Sequence, residues 1–428
     1  MTSKTLLNEL MEKAAELDAN DPLSSFREQF HIPQLEDGSE EIYFVGNSLG
    51  LQPKLTASFL ESELESWRKR GVRGHFEGDF PWMPYHEFLT ETMADLVGAR
   101  QEEVVMMNSL TVNLHLMMAT FYRPEEKRGK ILIEQHAFPS DHYAAESQIR
   151  WHGNVASDDL VLLRPRDGED LIDTNQICAA IDYFRESLAM VLLPGVQYYT
   201  GQFFDIETIT EEAHKHGIFV GWDLAHAVGN VPLRLHDWNV DFAVWCSYKY
   251  LNSGPGSVGG CFIHHRHATN PRMKRLAGWW GQDKQTRFQM GDQFNAIPTA
   301  EGWQLSNPPI LSLAAIRSSM EIFKQAGGIS PLRTKSLKLT TLFSSALKQV
   351  LGDRVEVITP ADDVARGCQL SIKITKDGVD GKDVHEKLES AGVRTDWREP
   401  NVIRAAPVPL YNTFSEVVRF VQKLDELL

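Results

Sequence analysis

The fold is decided by two stretches of the chain, Ile218-Phe219-Val220-Gly221-Trp222-Asp223-Leu224-Ala225-His226 and Asp241-Phe242-Ala243-Val244-Trp245-Cys246-Ser247-Tyr248-Lys249. Each begins with an apolar run of the length of a strand and then turns polar. Continuous apolar runs are typical of strands in a parallel sheet, because helices cover both faces of such a sheet. The two stretches therefore predict consecutive strands of an open α/β sheet, with Asp223 and Lys249 at the carboxyl edge, where these sheets hold their ligands.

Asp223 and Lys249 are the two residue types that a Schiff-base cofactor requires. A lysine amine condenses with the aldehyde of pyridoxal phosphate, and a carboxylate pairs with the protonated ring nitrogen, which keeps the cofactor a strong electron sink. Partial desolvation at a strand end makes the amine of Lys249 lose its charge more easily than in water. We therefore predict a pyridoxal phosphate site with Lys249 as the nucleophile.

Each residue taken alone also has an ordinary interpretation. A lysine after a strand is usually a solvated surface residue, and an aspartate at a strand end is usually a helix cap, here for residues 224–228. Asp223 and His226 could form half of a metal site, but no further ligand cluster with recognisable spacing lies nearby in the sequence, so no metal is predicted. The cofactor interpretation depends on the two residues together.

The composition indicates a large protein that acts on a small molecule. The chain has 428 residues, of which 42% are hydrophobic, and a net charge of −15. This length predicts one large domain and a smaller one. Scattered acidic charge disfavours nucleic acid as a partner. The four cysteines are widely spaced without a Cys-x-x-Cys pair, which disfavours disulfides and structural zinc and indicates a reducing compartment.

The N-terminal segment, residues 6–17, is charged and amphipathic, and it lacks the apolar core of a signal peptide. No stretch of the sequence is long and apolar enough to predict a membrane span. We therefore expect a cytoplasmic protein whose partner is a small molecule rather than a membrane or a nucleic acid.

Apolar runs alternate with helix-period segments through most of the chain, which predicts a doubly wound, mostly parallel sheet. The seven predicted strands lie at residues 104–107, 131–133, 160–163, 189–193, 218–222, 242–246 and 261–264.

A second pattern begins after Pro308-Pro309 and is typical of a small α+β domain. It predicts helices at residues 310–325, 332–351, 382–391 and 414–428, and strands at 355–358, 369–375 and 402–405. The Pro-Pro pair is the predicted boundary. The expected division is therefore a large domain at residues 60–309 and a small domain at 310–428, with residues 1–59 packing against the small domain.

Three further clusters follow predicted strands. Asn108-Ser109-Leu110-Thr111 opens a helical pattern, so its N–H groups and the Thr111 hydroxyl suit a phosphate, although an ordinary helix cap has the same residues. Phe138 could stack on a flat heteroaromatic ring beside Asp141, or it could pack in the core. The segment from Pro194 to Gly201 turns tightly after a third strand. All three clusters are expected at the crevice that holds Asp223 and Lys249.

Several motifs, in their order and spacing, resemble the kynureninase family of the class V aminotransferase superfamily, which has fold type I. They are Gly46-Asn47-Ser48-Leu49-Gly50, Phe138-Pro139-Ser140-Asp141, Asp223-Leu224-Ala225-His226-Ala227-Val228-Gly229, Cys246-Ser247-Tyr248-Lys249-Tyr250-Leu251-Asn252, Gly278-Trp279, Ile297-Pro298, Ser306-Asn307-Pro308-Pro309-Ile310 and Arg404-Ala405-Ala406-Pro407-Val408-Pro409-Leu410-Tyr411-Asn412. The likeness runs from about residue 20 to the C-terminus. Each motif is short, but the set is specific.

The resemblance implies roles around the cofactor. Lys249 would form the Schiff base and move protons, Asp223 would pair with the ring nitrogen, and Phe138 would stack on the ring. The phosphate would be held by Leu110, Thr111 and Tyr248, and by Trp279 from a second subunit. The remaining residues that the resemblance places in the cofactor shell are Pro139, Ser140, Asp141, Pro194, His226 and Asn307. A homodimer with shared active sites is therefore expected.

The resemblance also implies the reaction. Kynureninases cleave the Cβ–Cγ bond of an aryl-keto amino acid with water, giving an anthranilate and L-alanine, in tryptophan catabolism and the supply of precursors for NAD. Arg404 resembles the family's clamp for the substrate carboxylate, and Tyr248 its acid or base. Ser48, His75, Ser306 and Asn307 would meet the substrate, and the last three favour 3-hydroxy-L-kynurenine over L-kynurenine.

Some positions depart from the family pattern, and two other classes compete. Pro194 stands where a small polar residue is expected, and Trp280 and Gln282 also differ. A cysteine desulfurase shares the fold but needs a nucleophilic cysteine on a mobile loop, whereas Cys368 lies beside an apolar strand and is interpreted as structural. A cofactor-free scaffold of this fold has no need of Lys249 and Asp223 together.

Overall fold

A computed structural model describes residues 3–428. Its strands, in chain order, are β1 (Ile42–Tyr43), β2 (Val104–Met106), β3 (Lys130–Glu134), β4 (Leu160–Leu163), β5 (Leu188–Pro194), β6 (Phe219–Asp223), β7 (Phe242–Trp245), β8 (Gly260–Ile263), β9 (Val355–Val357), β10 (Leu370–Ile374), β11 (Val393–Arg394), β12 (Asp396–Arg398) and β13 (Val402–Ala405).

The helices are α1 (Ser3–Ala19), α2 (Thr56–Arg70), α3 (Thr90–Val97), α4 (Leu110–Phe121), α5 (Pro139–Trp151), α6 (Ala156–Asp159), α7 (Thr174–Tyr183), α8 (Ile206–Lys215), α9 (His265–Ala268), α10 (Ile310–Gln325), α11 (Ile329–Leu351), α12 (Gly381–Ser390) and α13 (Phe414–Leu427). Among residues 3–428, no helix has both the length and the apolar character needed to cross a bilayer.

Strands β2 to β8 form a mixed seven-stranded sheet in the order β2-β8-β7-β6-β5-β3-β4. Strands β4, β3, β5, β6 and β7 pair in parallel, whereas β8 pairs antiparallel with both of its neighbours. All seven predicted strands are present in this sheet, and their observed bounds differ from the predicted ones by one residue at most. The predicted α/β fold class is confirmed.

Both faces of the sheet are buried, which explains why its strands are continuous apolar runs. In β7, Ala243 and Trp245 pack in one core while Phe242 and Val244 pack in the core on the opposite face. Successive side chains of a strand point to opposite faces, so burial on both sides requires apolar residues at every position.

Asp241 anchors the start of β7 in this apolar environment. Its buried carboxylate accepts hydrogen bonds from the backbone N–H of Val220 at 2.8 Å, His214 Nε2 at 2.9 Å and His267 Nε2 at 2.7 Å, and it pairs with Arg266. Burial opposes ionisation, but these hydrogen bonds and the charge of Arg266 lower the pKa of Asp241 overall.

We expect Asp241→Asn to lower the free energy of unfolding by about 1–3 kcal/mol, because it removes the buried carboxylate that pairs with Arg266 and accepts hydrogen bonds from His214 and His267. Since the folded-state pKa lies below the unfolded value of about 3.9, the stabilisation is present above that pH and is lost as the pH falls. Urea titrations at several pH values measure both effects. Asp377→Asn, at an exposed position, is the control, and an equal loss in both variants would contradict this role.

The C-terminal part contains a four-stranded antiparallel sheet in the order β12-β13-β10-β9. Helices α11 and α13 share a core with this sheet, and Leu10 and Ala14 of α1 pack in the same core. A buried ion pair joins Lys335 of α11 to Asp21 at 2.7 Å. The N-terminal segment is therefore attached to the C-terminal part by apolar packing and by a buried charge pair.

The helices and strands predicted after Pro308-Pro309 are all present, with ends within three residues of the predicted ones. The short strands β1, β11 and β12 are not predicted by the sequence pattern. Helix α10 contributes Leu313 and Ile316 to a core shared with the large sheet. The division at residues 59/60 and 309/310 remains a prediction.

Candidate active site

A cavity of about 340 Å³ opens at the carboxyl ends of β3, β5, β6 and β7, facing β12 and β13. Several strand ends meet there because they belong to one parallel set. The lining residues are Asn47, Ser48, Leu110, Thr111, Glu134, Phe138, Ser140, Asp141, Pro194, Val196, Tyr198, Asp223, Ala225, His226, Tyr248, Lys249, Arg398 and Arg404.

Lys249, four residues beyond β7, points its amine at His226. The distance from Lys249 Nζ to His226 Nε2 is 2.9 Å. Burial, followed by the charges of Lys249 and Arg404, lowers the pKa of His226 well below its usual value, so its imidazole is neutral. A neutral ring accepts a hydrogen bond from the amine at Nε2 and therefore carries its proton on Nδ1, which is buried without a partner among the described residues.

Asp223 lies at the end of β6 and forms a buried pair with Asp141. Asp223 Oδ1 accepts a hydrogen bond from the N–H of Ala225 at 2.7 Å, but residues 224–228 form turns rather than the helix that the capping interpretation required. Burial raises the pKa of both carboxyls, and the neighbouring Asp223 raises that of Asp141 further. Such a pair favours a cationic ligand group, because two adjacent buried carboxylates repel each other.

The first turn of α4 forms another wall of the cavity. Ser109 precedes the helix in an extended conformation and its side chain makes no capping hydrogen bond. Thr111 Oγ1 lies 3.0 Å from Ser140 Oγ in the first turn of α5. Two helix starts with hydroxyl groups therefore converge on the cavity, and unpaired N–H groups at a helix start attract anions.

Phe138 and Tyr248 add aromatic side chains to the same cavity. Phe138 is 47% exposed, so it is not a core residue, and its ring meets that of Tyr198 edge-on at 5.5 Å. Burial, followed by the neighbouring Cys246, raises the pKa of Tyr248, so its phenol keeps its proton at neutral pH.

Arg404, on β13, closes the cavity from the C-terminal part. It is only 1% exposed, donates to the carbonyl of Tyr198 at 2.6 Å and forms an ion pair with Asp396. Its Nε is buried without a partner among the described residues. Arg398 donates to the same Asp396 oxygen at 3.0 Å. The single carboxylate of Asp396 pairs with two guanidinium groups, so one positive charge is not neutralised. This excess positive charge makes the cavity suited to an anion.

Other predicted site residues do not line this cavity. His75 Nδ1 lies 3.0 Å from the carbonyl of Val72, and Trp279, 42% exposed, donates to the carbonyl of Arg287 at 3.1 Å. Ser306 and Asn307 are exposed. Pro139 lies in the first turn of α5, outside the lining.

Sequence reasoning missed six lining residues: the apolar Val196 and Ala225 and the polar Asn47, Glu134, Tyr198 and Arg398. Tyr198 and Asn47 lie within segments that were singled out, the turn after β5 and the Gly-Asn-Ser-Leu-Gly motif, so their positions carried a signal. Glu134 directly follows the predicted strand at residues 131–133 and is the last residue of the observed β3, and Arg398 lies on a short strand without a recognisable pattern. Neither has a local signal that separates it from a surface charge.

Unpartnered polar atoms of Asp141, His226 and Arg404 indicate that the cavity is shaped for a ligand with both cationic and anionic groups. Pyridoxal phosphate has a ring nitrogen for the carboxyl pair, a phosphate for the helix starts and an aldehyde for Lys249, so the residues present fit it.

Solved structures of other proteins share this fold. A cysteine desulfurase from Escherichia coli matches with a TM-score of 0.74 over 95% of this chain and 98% of that chain, at 18% identity. A cystine C–S lyase in complex with its product, cysteine persulfide, matches with a TM-score of 0.76 over 92% and 100%, at 14% identity. Together with the site, this fold defines an enzyme of fold type I that depends on pyridoxal phosphate.

Sequence comparisons identify the family. The kynureninase from Koribacter versatilis (strain Ellin345) is 52% identical over 96% of both chains, and that from Myxococcus xanthus (strain DK1622) is 50% identical over 99% of both. The model of the kynureninase C-terminal domain matches residues 332–424. The chain belongs to the kynureninase family, a family of pyridoxal phosphate-dependent hydrolases that act on carbon–carbon bonds.

Proposed function

We propose that the chain hydrolyses the Cβ–Cγ bond of L-kynurenine and 3-hydroxy-L-kynurenine, giving L-alanine and anthranilate or 3-hydroxyanthranilate. The observation that carries the proposal is the single cavity in which Lys249, the Asp223–Asp141 pair and Arg404 face one another. An amino-acid ketone needs a covalent anchor for its amino group and a cation for its carboxylate. The reaction would belong to tryptophan catabolism and the supply of NAD precursors, in the cytoplasm.

Bound in this cavity, pyridoxal phosphate supplies an electron sink for the carbon chain of the substrate. Lys249 would hold it through a Schiff base, and the amine of Lys249 donates a hydrogen bond to neutral His226. Asp223, assisted by Asp141, would balance the charge of the ring nitrogen, and Phe138 would stack on the ring. The phosphate would be held at the first turn of α4 by Leu110 and Thr111, with Ser140 and Tyr248 lining the same cavity. Pro139 and Pro194 complete the cofactor shell.

Arg404 binds the substrate carboxylate in this proposal. Its Nε is buried without a partner among the described residues, while Tyr198 and Asp396 hold its other two nitrogens. A charge-assisted hydrogen bond of this kind contributes about 1.5–3 kcal/mol. Ser48 lies on the same cavity wall and offers a hydroxyl to the substrate. Tyr248, protonated at neutral pH, gives a proton during cleavage and takes it back.

We also propose a homodimer with shared active sites. His75, Trp279, Ser306 and Asn307 are substrate or cofactor residues by family likeness, yet they lie outside the cavity of their own chain. A second copy that brings them to the cavity would complete the site. Exposed apolar side chains at Phe76, Phe80, Phe88, Phe288 and Met290 support an interface on this side of the chain. The mass of the holoenzyme in solution tests this.

The reaction is tested by incubating the protein, loaded with pyridoxal phosphate, separately with L-kynurenine and 3-hydroxy-L-kynurenine. Mass spectrometry of alanine and of the matching anthranilate detects turnover. Both product pairs are expected. If a loaded enzyme forms no product from either substrate, the hydrolytic proposal fails. A desulfurase is a weak alternative, because Cys368 is 1% exposed and burial raises its pKa to about 12.

We expect 3-hydroxy-L-kynurenine to be the preferred substrate, because His75, Ser306 and Asn307 would supply polar partners for its hydroxyl. A site that hydrogen-bonds a hydroxyl penalises a substrate without it. The double variant His75→Trp with Asn307→Thr should therefore lower the ratio of kcat/KM for the hydroxylated over the plain substrate by about tenfold or more, which corresponds to about 1.4 kcal/mol. Steady-state kinetics with both substrates measure the ratio, and an unchanged ratio contradicts the assignment.

A further inference from the structure

A second cavity, of about 420 Å³, lies beside the cofactor cavity. We call it the inter-domain chamber, because residues 165–202 form one side of it and Lys373 and residues 399–401 form the other. Glu134 and Tyr198 line both cavities. The junction between the cavities therefore carries one carboxyl group, at the rigid end of β3.

Glu134 is held in one orientation by Gln197. The Gln197 Oε1 accepts hydrogen bonds from the N–H groups of Tyr199 at 2.6 Å and Thr200 at 2.8 Å, so its amide cannot flip. Its Nε2 must then face Glu134, and it donates to Glu134 Oε1 at 3.2 Å. Within residues 3–428, the other oxygen, Oε2, accepts no hydrogen bond and Glu134 has no ion-pair partner. Glu134 Oε2 is therefore available to hydrogen-bond with molecules in either cavity.

Glu134 is 3% exposed, and its burial raises its pKa to about 8, a shift that the amide of Gln197 partly opposes. The other titratable groups that line the two cavities are His136, Glu169, Asp170, Tyr198, Tyr199, Lys373 and Glu399 in the chamber, and Asp141, Asp223, His226, Tyr248, Lys249, Arg398 and Arg404 in the cofactor cavity. Cations are present among them, but burial dominates the pKa of Glu134 and keeps it raised. Glu134 therefore holds a proton at neutral pH and can release it near the upper end of the physiological range.

The proposed reaction requires transport of water and of a proton. Hydrolysis of the ketone consumes one water, whose hydroxyl joins the carbonyl carbon and whose hydrogen completes the methyl group of alanine. The new aryl carboxylic acid then ionises and releases one proton per turnover, with no oxidation or reduction. The site must therefore admit water and export a proton at each cycle.

We propose that the inter-domain chamber is the water and proton port of the active site, and that Glu134 transfers the proton between the two cavities. The proposal rests on the hydrolytic function proposed above. In each cycle Glu134 gives its proton to water in the chamber and takes one from the reacting site, so it returns to the neutral acid. The chamber is large enough for several waters and is lined by polar groups that can hold them.

Glu134→Gln keeps the shape and the hydrogen bond to Gln197 but cannot give up a proton. In the holoenzyme we expect kcat to fall at least about tenfold, in line with a positioned proton-transfer group, while KM and the absorption spectrum of the bound cofactor stay unchanged. Glu134→Ala should lose as much and recover several-fold with added formate or imidazole, which are small enough to enter the chamber. Glu207→Gln, on the exposed face of α8, is the control.

Two readouts do not depend on turnover. Infrared difference spectra of wild type minus Glu134→Gln should show a protonated carboxyl band at pH 7 that disappears above about pH 8. Because the folded-state pKa is raised, wild-type stability should fall as the pH rises from about 4.3 towards that value. The Tm of Glu134→Gln relative to wild type should therefore be higher at pH 9 than at pH 6.

The role of Glu134 would be overturned if Glu134→Gln kept kcat within twofold of wild type between pH 6 and 9. It would also be overturned if formate and imidazole failed to rescue Glu134→Ala. Absence of the carboxyl band at pH 7 would overturn the claim that it holds a proton. If instead the wild-type holoenzyme itself forms no alanine, the proposed function fails, and the infrared titration still reports the state of Glu134.

Discussion

Lys249→Ala should abolish turnover and remove the absorption of the bound cofactor above about 400 nm, which arises from a Schiff base. The reason is geometric. Lys249 is the lysine that lines the cavity, and its amine is held 2.9 Å from a neutral imidazole. Without it, the described residues supply no other amine at this position to condense with the aldehyde.

The absorption spectrum and single-turnover formation of alanine together measure the effect of Lys249→Ala. Borohydride treatment of the wild type, followed by peptide mapping, should leave the reduced cofactor on Lys249. Lys215→Ala, on the exposed side of α8, should behave as wild type. Alanine formation by the Lys249→Ala holoenzyme at the wild-type rate would end the Schiff-base interpretation.

Asp223→Asn has the next largest expected effect, which is a loss of about 10²–10³-fold in kcat. This is the range seen when one preorganised electrostatic contact is removed from a reacting centre. The carboxylate is buried at the end of β6, oriented by the N–H of Ala225, and paired with Asp141. An amide of the same shape cannot balance the charge of a protonated ring nitrogen, so the cofactor becomes a weaker electron sink.

Steady-state kinetics and the pH titration of the cofactor absorption measure the Asp223→Asn variant. We expect the cofactor to remain bound, because Lys249 and the first turn of α4 are unchanged. Asp237→Asn, in an exposed pair with Arg234, controls for a general effect of lost charge. A kcat within threefold of wild type would show that another group, such as Asp141, carries the ring-nitrogen contact.

The large sheet could be predicted because its local pattern and its tertiary environment agree. Strands such as β5 and β7 are buried on both faces, so every residue is apolar and the run itself marks the strand. The short strands β11 and β12 could not be predicted, since two or three residues carry no periodicity. β11 pairs with the distant β1, and β12 pairs with the adjacent β13.

The site residues that could be predicted are those with a reactive or aromatic side chain at or just after the end of a strand. Asp223, Lys249 and Phe138 follow strands whose order along the sheet brings them to one cavity. Arg404 was found through family likeness and not through its own pattern, because a lone arginine on a short strand resembles any surface arginine. His75, Trp279, Ser306 and Asn307 were expected at the site, and one chain does not bring them there.

The sequence by itself determined the sheet, the cofactor chemistry and the family, because these depend on local patterns: apolar runs, strand-end residues and motifs in a set order. Only the tertiary structure decided that Arg398 and Arg404 share Asp396, that Asp141 lies against Asp223, and that Glu134 joins two cavities. Those relations depend on desolvation and on contacts between segments far apart in the chain, and neither quantity is encoded in any short stretch of residues.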